Sequence, residues 1–356
     1  LKMFGRILKT IGKVGSFLII FLVFFLLYSS ITYFEPESRV VLWQSDKPDT
    51  IPFDSTLAAL TWNIGYAGLG SNMDFFMDGG GKMRDTRERT TENLTAIEKT
   101  LGGEKINDFI LLQEVDINSH RSYGINELEE ISRTLEYPYS IGINYRVNFV
   151  PVPLKNPMGK VQSGIVTFSK FNPKETIRYA YPGAFPWPNR LFNLRRCMVV
   201  NRYPTSNGKD FVLVNTHNSA FDNGALKQQE MDFLQEILLS EYYKGNYVVA
   251  GGDWNQLPPG APYAELVVGS SNSSFMLTGI DSSFMPKDWS WVFDPSCPTN
   301  RYLNEPYTPG RTNTCILDFF LVSPNVSVQR CQTANMAFKN SDHNPVTLEF
   351  RLIGNP

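Results

Sequence analysis

Histidine and cysteine are scarce in this chain. Only three histidines (His120, His217, His343) and four cysteines (Cys197, Cys297, Cys315, Cys331) occur in 356 residues. No two cysteines stand as Cys-x-x-Cys, which excludes the common zinc-site spacing, and no acidic loop has the spacing of a calcium site. Whether the cysteines pair as disulfides or stay as buried thiols is left open by their number and spacing. No internal repeat or low-complexity tract is present, which excludes a solenoid or fibrous build. Charge is missing altogether from residues 14–34, and no acidic side chain precedes Glu35. A basic excess is also lacking. Setting aside the first 34 residues removes Lys2, Arg6, Lys9 and Lys13, which leaves 29 basic against 35 acidic residues, a balance of −6. That balance speaks against a general phosphate-backbone binder, although a local basic cleft is compatible with it.

The uncharged stretch is long enough to span a bilayer as a helix, which needs about 20 apolar residues. It is apolar all round, unlike a one-faced core helix. Basic residues on its N-terminal flank predict that this end stays in the cytoplasm and that the remainder is translocated. A cleaved signal peptide is the alternative, but Ser29-Ser30-Ile31 is a poor cleavage site, so a retained anchor is favoured. The expected organisation is a basic cytoplasmic segment (1–13), a transmembrane anchor (14–34), a Pro-, Ser- and Asp-rich tether (35–55) and one catalytic domain (56–354). Sequons at Asn93, Asn272 and Asn325 would matter only in a eukaryotic secretory route.

Within the domain, apolar runs predict strands at 56–62, 108–113, 164–168, 197–202, 211–215, 247–250, 316–322 and 346–352. Helical spacing predicts helices over 84–101 and 223–243. Ser206-Asn207-Gly208-Lys209 is a hairpin signal. Hairpins interrupted by helices predict a mixed α/β layered domain. Two segments rich in proline and aromatics, 145–160 and 181–194, are expected to be long loops. They either fold back onto the sheet edges or form a hydrophobic rim for lipid or ligand.

Short polar motifs stand at the tips of these strands: Trp-Asn-Ile-Gly at 62–65, Leu-Gln-Glu-Val-Asp at 112–116, Asn-Thr-His at 215–217, Gly-Gly-Asp-Trp-Asn at 251–255, Leu-Asp-Phe-Phe at 317–320 and Ser-Asp-His-Asn-Pro at 341–345. A carboxylate ending a buried apolar strand, as Glu114 does, needs a partner, and a metal ion supplies one. Asn63 can offer an amide oxygen to metal or phosphate. Two of the three histidines fall beside polar partners at strand ends, whereas His120 has no motif around it. Asp318, embedded in a core strand, must be paired, and a histidine is the natural partner. Asp253 and Asn255 point to one side of their strand end. Arg195 and Arg196 either reach a substrate phosphate or face solvent. Together these groups suit metal-assisted cleavage of a phosphate ester, which needs a cation, an activated water and a proton for the leaving oxygen.

In order and content, this set resembles the endonuclease/exonuclease/phosphatase superfamily over about residues 56–352. The resemblance implies a four-layer α/β sandwich, with two central mixed, mostly antiparallel sheets flanked by helices, and dependence on Mg²⁺ (or Mn²⁺ in its place). It further implies Glu114 as principal metal ligand, with Asn63 and Asp342 nearby. His343 would pair with Asp318, and Asp253 and Asn255 would orient the water. His217 would stand near the leaving group or the phosphate with Asn215 beside it. The general base, Asp253 or His343, stays open. Asn215-Thr-His217 places the chain nearer the deoxyribonuclease I and sphingomyelinase branches than the repair nucleases. The substrate is expected to be a phosphodiester of nucleic acid or of a phospholipid head group. A small soluble phosphoester, or a non-catalytic binding role, is the alternative. No protein partner is inferable.

Overall fold

The structure is a computed structural model that describes residues 2–103, 107–220, 225–262 and 277–354. The sequon at Asn272 lies outside the described residues. Helix α1 (Lys2–Ile31) opens the chain, and its segment Arg6–Ile31 is long and apolar enough, by length and composition, to cross a membrane.

The strands of the domain fall into two main sheets. The first has six strands: β2 (Thr56–Asn63), β3 (Phe109–Asp116), β4 (Tyr139–Val150), β5 (Gly159–Ser169), β14 (Val326–Thr333) and β15 (Val346–Leu352), in the order β14-β15-β2-β3-β5-β4. The second has seven: β1 (Arg39–Gln44), β6 (Glu175–Ala180), β7 (Cys197–Pro204), β8 (Asp210–His217), β9 (Tyr247–Asp253), β10 (Ser290–Val292) and β13 (Asp318–Val322), in the order β1-β6-β7-β8-β9-β13-β10. Two short strands, β11 (Asn300–Arg301) and β12 (Thr314–Cys315), pair with each other. Pairing is antiparallel except for β2 with β3 and β8 with β9.

Apolar residues on the facing sides of the sheets, among them Leu57, Phe109, Leu111, Phe211, Leu213, Val249 and Phe320, form a central core. The outer face of the six-stranded sheet is covered by α2 (Arg87–Gly103) and α3 (Glu127–Leu135) through Leu94, Ile97, Leu101, Leu128 and Ile131. The outer face of the seven-stranded sheet is covered by α4 (Ala225–Tyr243) through Met231, Leu234 and Leu238. The architecture is therefore a helix–sheet–sheet–helix sandwich. The predicted hairpin at Ser206–Lys209 joins β7 to β8.

Two segments differ from their sequence reading. Residues 39–44, inside the expected tether, form an edge strand antiparallel to β6. Residues 145–150, inside an expected loop, complete β4, so that loop shrinks to 151–158. Both are edge strands with one neighbour each, and their outward side chains (Arg146 and Asn148 on β4) break the apolar run that marks an interior strand. Pro151 and Pro153 then end β4, because proline brings no N–H to a ladder. All four cysteines are free thiols. Asn93 and Asn325 are fully buried, each donating to a backbone carbonyl, so neither sequon is presented as a glycan acceptor.

Candidate active site

Sheet pairing brings the polar strand tips to one edge. On the seven-stranded sheet, Asp253 sits between His217 on β8 and Asp318 on β13 in the same row. Reaching that row requires very close approach of β8 and β9. A Cβ on Gly252 would stand 2.0 Å from the Thr216 carbonyl oxygen, so only glycine fits. On the six-stranded sheet, Asn63 at the end of β2 pairs with Gln113, one residue before Glu114.

Glu114 is turned towards the site by a break in the ladder. The β3–β5 register shifts between Leu112 and Val115, and Glu114 takes φ +56°. A non-glycine residue in this left-handed region costs on the order of 1–3 kcal/mol, a strain that clusters at functional sites. Tyr66 (φ +41°) and Asn255 (φ +51°) are strained likewise and line the same cavity. The bulge leaves the Glu114 side chain 24% exposed, while its neighbours on β3 are buried.

The cavity holds about 150 Å³ between the two sheet edges. At its base, His343 Nδ1 lies 2.7 Å from Asp318 Oδ2, and Asn300 Nδ2 lies 2.9 Å from His343 Nε2. That amide meets a neutral ring through Nδ2 and a charged one through Oδ1. Asp253 accepts from Asn63 Nδ2 at 3.0 Å and from the Asn255 backbone N–H at 3.0 Å. His217 Nε2 is 3.4 Å from Asp253 and 3.9 Å from Glu114, and its buried Nδ1 has no partner. Asp342 Oδ2 lies 3.8 Å from His343 Nε2.

The electrostatics separate the two histidines. Burial alone would lower His343, but the carboxylates of Asp318, Asp342 and Asp253 outweigh it and push the ring up to about 10. Burial lowers His217 well below the usual imidazole range, and Arg196, His343 and Arg121 add to the effect, so its ring is neutral. Burial raises Asp342 to about 6, moderated by His343 and reinforced by Glu114. Asp78, another wall residue, is raised to about 7 by burial and by the charges of Asp342 and Glu114.

Asp253, Asp318 and His343 each place a ligand atom within 4.8 Å of the others. Asp318 and His343 are already bonded to each other, a pairing whose chemistry suits proton transfer. Glu114 and Asp342 line the same cavity and present only oxygen donors.

Three expected site residues are held by neighbours within the chain. The Asn63 side-chain oxygen accepts the Gly65 N–H at 3.0 Å, and the amide nitrogen faces Asp253 at 3.0 Å and Glu114 at 3.4 Å. Asn215 is fully buried one layer below His217. It accepts from Gln113 and donates to the Leu112 and Val166 carbonyls, which ties the two sheets together away from any substrate. Of the two arginines, only Arg196 lines the cavity, with Nη1 unpartnered. Arg195 donates instead to the Gly183 carbonyl at 2.7 Å.

Other wall residues were not singled out in the sequence. Arg121 grips buried Asp116 with two bonds (3.1 and 2.9 Å) and lies 3.8 Å over the Tyr66 ring. Asp116 is the last residue of the Leu-Gln-Glu-Val-Asp motif, so an acid in a buried strand end was the available signal for a cationic partner. Asn300, which reaches His343 from the two-residue strand β11, has no comparable signal, because a lone asparagine outside an apolar run is common.

Residues 60–343 match the profile of the Endonuclease/Exonuclease/phosphatase family, and the chain belongs to that family. Solved structures agree in fold. An endonuclease/exonuclease/phosphatase from Beutenbergia cavernae superposes with a TM-score of 0.55 at 17% identity, covering 85% of this chain and 72% of that one. ANGEL2, a 2',3'-cyclic phosphatase in complex with adenosine-2',3'-vanadate, gives 0.53 at 15% identity over 84% and 96%. TDP2 of D. rerio, complexed with a single-strand DNA product, gives 0.51 at 14% over 84% and 100%. No curated protein matches the sequence.

Proposed function

We propose that the chain is a membrane-anchored, Mg²⁺-dependent phosphodiesterase that cleaves a phosphate ester by in-line attack of an activated water. The observation that carries this reading is the meeting, in one cavity, of an all-oxygen acidic face, a buried Asp–His pair and an arginine with a free Nη1. Glu114 and Asp342 repel each other across that face, and such hard donors suit Mg²⁺ or Mn²⁺, which need only one or two carboxylates. These two residues would hold the ion. Bound there, it would neutralise phosphate charge and polarise the scissile centre.

The remaining steps belong to the chain's own side chains. Asp253, fixed by Asn63 and the Asn255 N–H, orients the water. Asp253 is placed to take its proton directly, His343 can take it only with its ring neutral, and Asp318 holds that ring in position. Neutral His217 stands over Asp253 and Glu114, where a leaving group would depart. Arg196 fixes the phosphate by charge. The substrate is a phosphodiester, of nucleic acid or of a phospholipid head group. Helix α1 holds the catalytic domain, whose seven-stranded sheet already begins at Arg39, at a membrane, and the basic flank of that helix favours an extracytoplasmic side for it.

The test uses the full chain in detergent with bis(p-nitrophenyl) phosphate. Mg²⁺ is expected to support release of p-nitrophenolate, EDTA to abolish it, and added Mg²⁺ to restore it. Release unaffected by the chelator would contradict the metal requirement. A folded protein that releases nothing would contradict the reaction.

A further inference from the structure

The last turns of α1 lean on the domain. Phe25 stacks on Phe192 at 5.7 Å and meets Phe149 edge-on at 6.2 Å. Asn148 Nδ2 donates to Tyr28 Oη at 3.1 Å, and Trp187 Nε1 donates to Ser30 Oγ at 3.4 Å. Just past the helix, Arg190 lies over the Tyr33 ring and Arg146 over Phe34. Phe25 precedes the helix end at Ile31 by six residues, which is about 9 Å along the axis. If α1 spans a bilayer, its last apolar turns lie inside the hydrocarbon, and side chains packed on Phe25 lie at the boundary between acyl chains and head groups.

The loops that make these contacts are suited to that depth. They expose Leu154 (89%), Trp187 (55%), Val152 (45%) and Phe149 (42%). Neighbouring exposed apolar groups of this size mark an interaction surface, and tryptophan prefers the membrane interface. The same loops are basic. Residues 145–160 and 181–196 contain Arg146, Lys155, Lys160, Arg190, Arg195 and Arg196 and no acidic residue, in a chain whose balance beyond residue 34 is −6. A basic, apolar rim complements an anionic lipid surface. It also borders the active site, because Tyr145, Met158, Phe185 and Leu194 line the cavity.

We propose that the 149–154 and 185–192 loops dip into the bilayer as a rim around the cavity, and that the ester cleaved is a phospholipid head-group phosphodiester taken from that bilayer. The inference rests on the anchored-phosphodiesterase reading and names its substrate class. Nucleic acid fits this mouth less well, since a soluble polyanion would leave the apolar rim in water and meet net negative charge elsewhere.

The test places the full chain in nanodiscs of phosphatidylcholine with a minority of phosphatidylglycerol. With brominated acyl chains, the wild type is expected to lose a fraction of tryptophan fluorescence that Trp187→Phe does not lose. Equal quenching in both would overturn the rim, whatever the activity. With ordinary lipid, Leu154→Asp/Trp187→Ala is expected to cleave phospholipid at least about tenfold more slowly while its rate on bis(p-nitrophenyl) phosphate stays within about twofold. Equal phospholipid rates in variant and wild type would overturn the rim's role in substrate delivery. A wild type that hydrolyses the soluble ester but not the phospholipid would overturn the lipid substrate and leave the phosphodiesterase reading standing. Hydrolysis of neither would overturn both, with the quenching experiment still judging the rim on its own.

Discussion

Asp253→Ala and His343→Ala should each lower turnover of a phosphodiester by about a thousandfold, with the fold retained. Asp253 sits at the centre of the site's polar contacts. It accepts from Asn63 and the Asn255 N–H, and it stands 3.4 Å from His217 Nε2 and 3.8 Å from His343 Nε2. On the proposed mechanism, removing its carboxylate takes away the group that orients the water and one of the two candidate proton acceptors. His343→Ala removes the other and leaves Asp318 buried without its partner. Because the proposal has the two residues act on one water, the double variant should be only slightly slower than either single one. Circular dichroism and thermal melting confirm folding, and kcat on a soluble ester reads the effect. Unchanged kcat in either folded variant would sink the assignment, and independent multiplicative losses would place the two residues in separate steps.

The second large effect separates neighbouring arginines. Arg196→Ala should lower kcat/KM by about 10–100-fold, because a guanidinium with a free buried Nη1 faces the cavity and would meet the substrate phosphate. Arg195→Ala should change kcat/KM by no more than about twofold, since Arg195 donates to the Gly183 carbonyl away from the cavity. Lysine at 196 should recover part of the loss, keeping the charge without the planar fork. Equal losses at both positions would mean that the pair acts through overall charge rather than through the one side chain that reaches the site.

Much of this arrangement was legible in the sequence because interior strands announce themselves. The runs at 59–62 and 247–250 are buried on both faces and that at 346–352 on one, so a polar residue at the tip of one stands out against its apolar neighbours. That contrast is what made Glu114, His217, Asp253, Asp318 and His343 visible as one set. The edges were not legible. β1 and the second half of β4 pair on one side only, so their outward residues follow no apolar period and read as tether and loop. Side-chain direction was not legible either. Asn215 and His217 share one face of β8, yet one lies between the sheets and the other at their open end, a difference set by depth rather than residue type. The bulge at Glu114 depends on a register shift against β5, which no local pattern on β3 encodes. Asp116 likewise needed Arg121, five residues on, to explain an acid that is wholly buried.

The central claim is that Glu114 and Asp342 cradle a divalent cation beside a water-activating Asp–His set. A calorimetric titration of Mg²⁺ into the full chain in detergent, beside Glu114→Gln, tests it most directly. The account predicts saturable binding to the wild type that weakens at least about tenfold in the variant, with a matching rise in the Mg²⁺ concentration needed for half-maximal hydrolysis. Identical binding curves for the two proteins would contradict it.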